Sequence, residues 1–452
     1  MERVKDLSEK SISSLMLRFY IPAFTGIIAG ALYNIIDRIL IGQSVGHLAL
    51  SGLSVTFPVM IIIMGFGMLV GIGSGVLVSI ELGKKNRERA EKVLGNGIFL
   101  MTVISLVLTV AGFITKGPVL HSFGATADTI EYADQFLTII LAGTIFGLIG
   151  NGFNSVIRAE GNANKAMVST LISVGINVLL GVLFIVGLGL GVRGAAAATV
   201  IAQFVLAVYV MMHFTRGKSV IKLRAANLMP DPEILKHIIS AGIAPFVMQI
   251  AGSVVQTLYN IQLIKHSGDT AVALMGIINS VAILLVMSII SLNMASQPIL
   301  GYNYGAGNFS RVREAFILVL KYSTIISFAG FLISELFPAG IIKLFNSDPE
   351  LLRIGVPGIR IFMAMMPLVG FQIVTSNFYQ ATGRAGVATA ITLLRQVVIL
   401  IPTLLFLPGV IGINGIWIAS PVSDVLTGIF VFYLVIRGFR ELDHNIERSL
   451  TA

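Results

Sequence analysis

The sequence contains no cysteine, which excludes disulfide bonds, thiolate chemistry and cysteine-ligated metal. Its six histidines form no HExxH pair, which argues against a zinc-dependent membrane protease. Charged residues are also scarce, at 12% of the chain against about 25% in soluble domains. With 56% hydrophobic residues, this composition is typical of a protein that crosses the membrane many times. The net charge of +9 is then better explained by cytoplasmic loops than by nucleic-acid binding.

Apolar runs separated by short polar loops predict twelve transmembrane helices. They lie near residues 15–43, 53–80, 93–115, 130–157, 166–189, 193–214, 237–264, 271–302, 314–338, 354–381, 386–408 and 412–436. Lysine and arginine concentrate in the loops of one side, and the other side carries Lys116, Arg193, Lys265, Lys343 and Arg353. The positive-inside rule therefore predicts a multi-pass protein of the inner or plasma membrane with both termini cytoplasmic.

The two halves of the chain are related by an internal repeat with an offset of about 222 residues. The matched positions are Pro22 with Pro245, Gly83 with Gly305, Arg158-Ala-Glu-Gly161 with Gln380-Ala-Thr-Gly383, and Gly191-Val-Arg-Gly194 with Gly412-Ile-Asn-Gly415. Six helices separate the copies, so both copies share one orientation. This predicts an all-α integral membrane fold of two six-helix bundles, related by pseudo-two-fold symmetry along the membrane normal, with a substrate site near the midplane between them. The predicted domains are an N-terminal lobe at 1–214, a cytoplasmic linker at 215–236 and a C-terminal lobe at 237–452.

Three motifs stand out: Gln297-Pro-Ile-Leu-Gly-Tyr-Asn-Tyr-Gly-Ala-Gly-Asn308 with Arg311, Asn151-Gly-Phe-Asn-Ser-Val-Ile-Arg-Ala-Glu-Gly161, and Gly191-Val-Arg-Gly-Ala-Ala196. Together they resemble the multidrug and toxic compound extrusion (MATE) transporter family, in its bacterial MepA-like branch. The resemblance covers nearly the whole chain. It implies a cation-coupled exporter that alternates between outward-open and inward-open states.

Asp37 lies inside the first predicted span, where an acidic side chain costs roughly 2.5–3.5 kcal/mol by insertion scales. Counted from the outer end of its span, Asp37 lies at the same depth as Thr199 in the sixth span. Asn177 in the fifth span lies somewhat deeper. On composition alone, Asn177 and Thr199 are better explained as helix-packing polar residues. The resemblance favours the other reading, because the family pattern of an acid, an asparagine and a polar residue around a cation pocket maps onto Asp37, Asn177 and Thr199.

The sequence departs from the family pattern at Gly181, where the family often has a second acid four residues after the asparagine. A pocket with a single carboxylate offers fewer charged oxygens to replace the hydration shell of Na⁺. A lone buried carboxylate is suited to bind and release a proton. The prediction is therefore a coupling ion that is H⁺ or Na⁺, with H⁺ favoured, and no metal beyond Na⁺ at Asp37, Asn177 and Thr199.

In the second repeat, Asn260 stands where the first repeat has Asp37, and Ser420 stands where it has Thr199. The cation site is therefore predicted in the first half only. Pro22 is predicted as a hinge of the first span, since proline removes one helical hydrogen bond, although a static kink explains it equally well.

The second half carries its own polar residues within the predicted spans. Arg395 and Asp424 either pair with each other or line the central cavity, where Asp424 would attract cationic drugs. Gln249 and Asn260 are further candidates for the substrate cavity.

The predicted function is a secondary active antiporter that exports lipophilic, often cationic, xenobiotics in exchange for H⁺ or Na⁺ through Asp37. No enzymatic activity, cofactor or nucleic-acid partner is expected, and we expect a monomer in the lipid bilayer. The alternative is a lipid-linked precursor flippase of a related superfold, which needs several mid-span basic residues for a pyrophosphate headgroup. Such residues are few: Arg38, Arg360 and Arg395.

Overall fold

The computed structural model describes residues 2–345 and 348–451. Within these residues, twelve helices are long and apolar enough to cross a membrane. They are α1 Ile12–Ser44, α2 His47–Gly83, α3 Arg87–Ser122, α4 Ile130–Ala159, α5 Ala163–Gly187, α6 Gly191–Thr215, α7 Pro232–His266, α8 Leu274–Gly305, α9 Phe309–Leu336, α10 Pro349–Ala381, α11 Ala385–Ile411 and α12 Ile413–Arg448. The prediction of an all-α membrane fold with twelve spanning helices is therefore confirmed.

Two repeat-related glycines show why the duplicated motifs carry glycine at this position. Gly161 follows the end of α4 with a φ of 90°, and Gly383 follows the end of α10 with a φ of 80°. The Gly161 amide donates to the Arg158 carbonyl over 2.9 Å, and the Gly383 amide donates to the Gln380 carbonyl over 3.0 Å. Glycine adopts this left-handed conformation at little cost and so terminates both helices in the same way.

The chain divides into two compact units. The first comprises Met1–Lys10 and Leu17–Phe246, and the second comprises Ser11–Met16 and Val247–Ala452. In the second unit, Phe316 of α9 stacks on Phe378 of α10 with ring centroids 4.1 Å apart. The exact limits of the lobes and linker stay predictions.

Helices of the first unit approach closely at glycine. A Cβ added to Gly71 of α2 would lie 2.5 Å from the Gly152 Cα of α4, so the two backbones are in direct contact. Small residues permit such approach in membrane bundles, where van der Waals packing replaces the hydrophobic driving force. This crossing fixes the rotation of α2 and α4 about their axes.

The segment predicted as a linker, 215–236, belongs to the first unit and packs against α3. Its Asn227 carbonyl accepts from Asn96 Nδ2 over 3.4 Å, and its Asp231 amide donates to Asn96 Oδ1 over 2.7 Å. The Lys222 amide donates to Glu91 Oε1 over 3.1 Å. Buried polar groups of the α3 helix therefore hold this segment in a defined path.

Gly71→Ala is expected to destabilise the protein by about 1–3 kcal/mol, because the added methyl group overlaps the α4 backbone. We expect a lower midpoint of thermal unfolding in detergent. The midpoint is measured from the amount of folded protein that size-exclusion chromatography recovers from heated samples. The matched control is Gly175→Ala in α5, where an added Cβ has no neighbour within 4 Å. Equal midpoints for the two variants would contradict the close α2–α4 crossing.

Candidate cation site in the first unit

The carboxylate of Asp37 lies on α1 in a half-buried position. Its Oδ1 atom is enclosed and has no hydrogen-bond partner among the residues that the structure describes. An enclosed carboxylate oxygen without a donor is costly, because the water it loses on burial is not replaced. A proton or a metal cation bound at this oxygen would remove that cost.

Asn177 of α5 lies within side-chain hydrogen-bonding range of the Asp37 carboxyl group, although the Oδ1 atom itself has no partner among the described residues. Its Nδ2 atom donates to Thr199 Oγ1 of α6 over 3.2 Å, and Thr199 Oγ1 in turn donates to the Ala195 carbonyl over 3.0 Å. This chain of donors fixes the orientation of the amide. The amide oxygen, Oδ1 of Asn177, is also buried and has no partner within the described part of the chain. Two unpartnered acceptor oxygens thus belong to side chains that lie against each other.

Gly181 contributes the wall of the pocket one helical turn after Asn177. A Cβ added to Gly181 would lie 3.5 Å from Asp37 Oδ1 and 3.6 Å from Leu40 Cδ1. Gly181, the position at which the sequence departs from the family pattern, therefore lies next to the Asp37 carboxylate. Any side chain at this position would contact Asp37 directly.

The α5 helix widens immediately after Gly181. Residues Val182–Gly187 form a π-helical turn, in which the Leu188 amide donates to the Leu183 carbonyl over 2.8 Å. Such turns are frequent at functional sites. Ile185 from this turn packs in one apolar cluster with Ile41 and Ala195, so the polar pocket is bordered by a dry core.

The structure therefore brings together the three side chains that the sequence predicted for one site: Asp37, Asn177 and Thr199. Their oxygens are hard donors, of the kind that bind a proton or Na⁺. Within the described residues, no group of three or more His, Cys, Asp or Glu side chains could hold a metal ion. Pro22 lies within α1, which continues through it as a helix, so its role as a hinge stays a prediction.

The predicted cavity residues lie in the second unit. Gln249 is half-buried on α7. Asn260 Oδ1 accepts from Gln256 Nε2 over 3.3 Å, and Gln256 Oε1 accepts from Asn279 Nδ2 of α8 over 3.1 Å. Sequence reasoning missed Gln256 and Asn279. The spacing of Gln256 four residues before Asn260 was the available signal, since such pairs share one helix face.

Arg395 and Asp424 form an ion pair between α11 and α12, with Arg395 Nε 2.7 Å from Asp424 Oδ1. Of the two alternatives left open by the sequence, this geometry favours pairing.

A second buried group was not anticipated. Glu160, at the end of α4, pairs with His213 of α6 and is completely buried.

The MatE family model matches the chain twice, over residues 22–183 and 245–405. The chain belongs to the MatE family. The double match confirms the internal duplication, and its two segments begin at the repeat-related prolines Pro22 and Pro245.

Relatives of known name and structure agree with this membership. The multidrug export protein MepA of Staphylococcus haemolyticus is 25% identical over 434 residues, covering 96% of this chain and 95% of that protein. The solved structure of the MATE multidrug transporter DinF-BH is 36% identical, covers 95% of this chain and 96% of its own, and has a TM-score of 0.89. A MATE protein in a bent conformation has a TM-score of 0.92 at 23% identity, covering 100% and 99% of the two chains, and shows the shared fold. Because MatE proteins are transporters, the prediction that this chain is not an enzyme is confirmed.

Proposed function

We propose that this MatE protein is a secondary active antiporter that exports lipophilic, often cationic, compounds in exchange for a cation bound at Asp37. One observation carries the proposal: an enclosed carboxylate oxygen without a donor stands beside the Asn177 amide and the Thr199 hydroxyl. The names of the relatives, which are multidrug export proteins and a multidrug transporter, support the class of substrate.

The coupling step follows from the charge of the pocket. When Asp37 is ionised, any conformation that shields its enclosed oxygen from water is destabilised, because the charge then has no hydrogen-bond donor. Binding of a proton neutralises the carboxylate and removes that cost. The cation therefore shifts the equilibrium between the outward-open and inward-open states by the difference in its affinity for the two. In this mechanism, the α1 helix transmits the change, and Pro22 is the point at which it bends.

We propose H⁺ rather than Na⁺ as the coupling ion. The wall that faces Asp37 Oδ1 is Gly181, which supplies no second carboxylate. Na⁺ would have only one charged ligand here, together with the Asn177 and Thr199 oxygens. A proton needs only one carboxylate oxygen, which the pocket provides.

For the substrate, we propose that the polar row of Asn260, Gln256 and Asn279 contacts the compound in the second unit, with Gln249 further along α7. Partly exposed amides within spanning helices are expensive against lipid, so they favour a water-filled or ligand-filled environment. We also propose an inner or plasma membrane location and a monomeric state, and the concentration of Lys and Arg in the loops of one side supports cytoplasmic termini.

The flippase alternative is not favoured by the charges of the second unit. Arg395, one of the few mid-span basic residues, is paired with Asp424. A neutralised guanidinium offers little attraction to a pyrophosphate group, which such a transporter must bind.

The proposal is tested with purified protein in proteoliposomes, using ethidium as a fluorescent lipophilic cation. We expect an imposed pH gradient to drive ethidium accumulation, and an imposed Na⁺ gradient at equal pH to drive none. Accumulation under the Na⁺ gradient alone would assign Na⁺ as the coupling ion. Absence of accumulation under both gradients would contradict cation-coupled export.

Gly181→Asp is expected to add Na⁺ dependence to this transport. The new carboxylate stands against Asp37 and gives Na⁺ a second charged ligand, which strengthens binding by about tenfold or more. Gly181→Asn is the matched control, because it has the same shape and no charge. The measurement is ethidium accumulation under the Na⁺ gradient. Similar behaviour of the two variants would show that the extra charge does not decide the choice of ion.

A further inference from the structure

The fifth and sixth helices of each unit are joined by a polar contact at repeat-related positions. In the first unit, Ser173 Oγ of α5 donates to the Ala202 carbonyl of α6 over 3.0 Å. In the second unit, Ser423 Oγ of α12 donates to the Arg395 carbonyl of α11 over 2.6 Å. The repeat offset matches Ser173 with Arg395 and Ala202 with Ser423. The same pair of positions is thus bonded in both units, with donor and acceptor exchanged.

This correspondence places charge where the first unit has none. Arg395 occupies the position of Ser173, and Asp424 occupies that of Gln203. Ser420, the counterpart of Thr199, donates to Asp424 Oδ2 over 3.4 Å, while Arg395 Nε donates to Asp424 Oδ1 over 2.7 Å. Both oxygens of Asp424 therefore have partners. In contrast, the Oδ1 atom of Asp37 has no hydrogen-bond partner among the described residues.

Arg395 is held in place through its backbone as well as its side chain. It lies in the π-helical turn Leu394–Leu400, and its carbonyl is satisfied by Ser423, the neighbour of Asp424. The Asp424 carbonyl accepts from Gln372 Nε2 of α10 over 2.7 Å. The Asp424 side chain is only 2% exposed. Three helices thus fix the geometry of this ion pair.

We propose that the Arg395 guanidinium is a resident cation that permanently neutralises Asp424 beside Ser420, the counterpart in the second unit of Thr199. A guanidinium does not lose its proton and cannot leave the chain, so it neutralises Asp424 without being exchanged. Asp424 is therefore silent in transport, and each turnover uses one titrating carboxylate. This inference rests on the proposed function in taking Asp37 as that carboxylate.

Removal of the resident charge uncovers a latent proton site. A buried carboxylate without a partner is costly and becomes neutral by taking up a proton. In Arg395→Met, Asp424 is then protonated, whereas in Arg395→Lys a cation remains and Asp424 stays ionised. The two variants keep similar length, so charge is the main difference between them.

The test is modification by N,N′-dicyclohexylcarbodiimide near neutral pH, read by peptide mass spectrometry. The reagent reacts with the protonated carboxyl: the acid proton moves to a carbodiimide nitrogen while the carboxyl oxygen bonds the central carbon, and the adduct rearranges to a stable N-acylurea. We expect Asp37 to be modified in every protein that retains it. We expect the fraction of Asp424 that carries the reagent to be at least tenfold greater in Arg395→Met than in the wild-type protein or in Arg395→Lys.

Infrared spectroscopy provides a reading that needs no access for the reagent. In the Asp37→Asn background, Arg395→Met should gain the carbonyl band of a protonated carboxyl, and adding Asp424→Asn should remove it. Strong modification of Asp424 in the unmodified sequence overturns the inference. So does a folded Arg395→Met protein with neither the adduct nor the band. Failure of Asp37 alone to react contradicts a proton at Asp37 and leaves the pattern at Asp424 intact, so the two proposals fail separately.

Discussion

Asp37→Asn is expected to abolish uphill export while the protein still folds and still lets substrate equilibrate. A pH gradient of one unit supports an ethidium gradient of about tenfold for each proton exchanged without net charge movement. The amide of the variant takes up no proton and has no negative charge to hold Na⁺ in exchange, so the final ratio of ethidium across the membrane should fall to about one. The measurement is the plateau of accumulation in proteoliposomes under an imposed pH or Na⁺ gradient.

The matched control for this experiment is Asp134→Asn, at the start of α4. The Asp134 side chain is 43% exposed and pairs with Lys116 over 2.7 Å, so its replacement removes a carboxylate that has no part in the pocket. We expect the control to accumulate ethidium as the unmodified protein does. Accumulation by Asp37→Asn at the unmodified level, under either gradient, would remove Asp37 from the coupling mechanism.

Glu160→Ala is expected to destabilise the protein by about 3–5 kcal/mol, because several buried groups lose their hydrogen-bond acceptor at once, each at about 1–3 kcal/mol. Glu160 Oε2 accepts from Ser219 Oγ over 2.5 Å and from the Val220 amide over 3.2 Å. Its Oε1 atom accepts from Asn162 Nδ2 over 3.2 Å and pairs with His213. The variant leaves these groups buried without their acceptor and releases the segment after α6 from its main anchor.

This prediction is measured by the midpoint of thermal unfolding in detergent and by the rate of proteolysis within residues 216–230. Both should change strongly in Glu160→Ala and less in Glu160→Gln, which keeps one acceptor oxygen. Glu88→Ala serves as the control, since Glu88 is 80% exposed and forms a surface pair with Lys92 that contributes about 0.2–1 kcal/mol. A midpoint for Glu160→Ala that matches the control would show that the buried cluster is not the anchor of this segment.

The number of helices was predictable because each spanning segment is defined by its own composition. Helix ends were not predictable to the same degree. The α7 helix begins at Pro232 rather than near 237, and α12 continues to Arg448 rather than ending near 436. Hydropathy marks only the part of a helix that lies in hydrocarbon. The helices extend past it, where polar residues such as Glu233 and Arg440 are solvated.

The candidate site was partly predictable because depth along a helix follows from counting residues. Asp37, Asn177 and Thr199 were assigned to one level in this way, and the structure places them together. Counting does not give rotation about the helix axis. All of the following depend on that rotation: the open space between Gly181 and Asp37 Oδ1, the row from Asn260 to Asn279, and the anchoring of the predicted linker by Glu91 and Glu160.

The sequence by itself determined the twelve spans, the duplication and the presence of a single acid at the level of the cation pocket. Each of these follows from the order of residues along the chain alone. Only the tertiary structure decided which buried oxygens have partners. It left Asp37 Oδ1 without a donor and gave Asp424 the guanidinium of Arg395. The physical reason is that hydrogen bonds form over about 3 Å, and a helix rotation of about 30° moves a side-chain tip, about 5–6 Å from the helix axis, by roughly that distance. Close backbone crossings, such as that of Gly71 with Gly152 between α2 and α4, fix the rotations of the helices that form them.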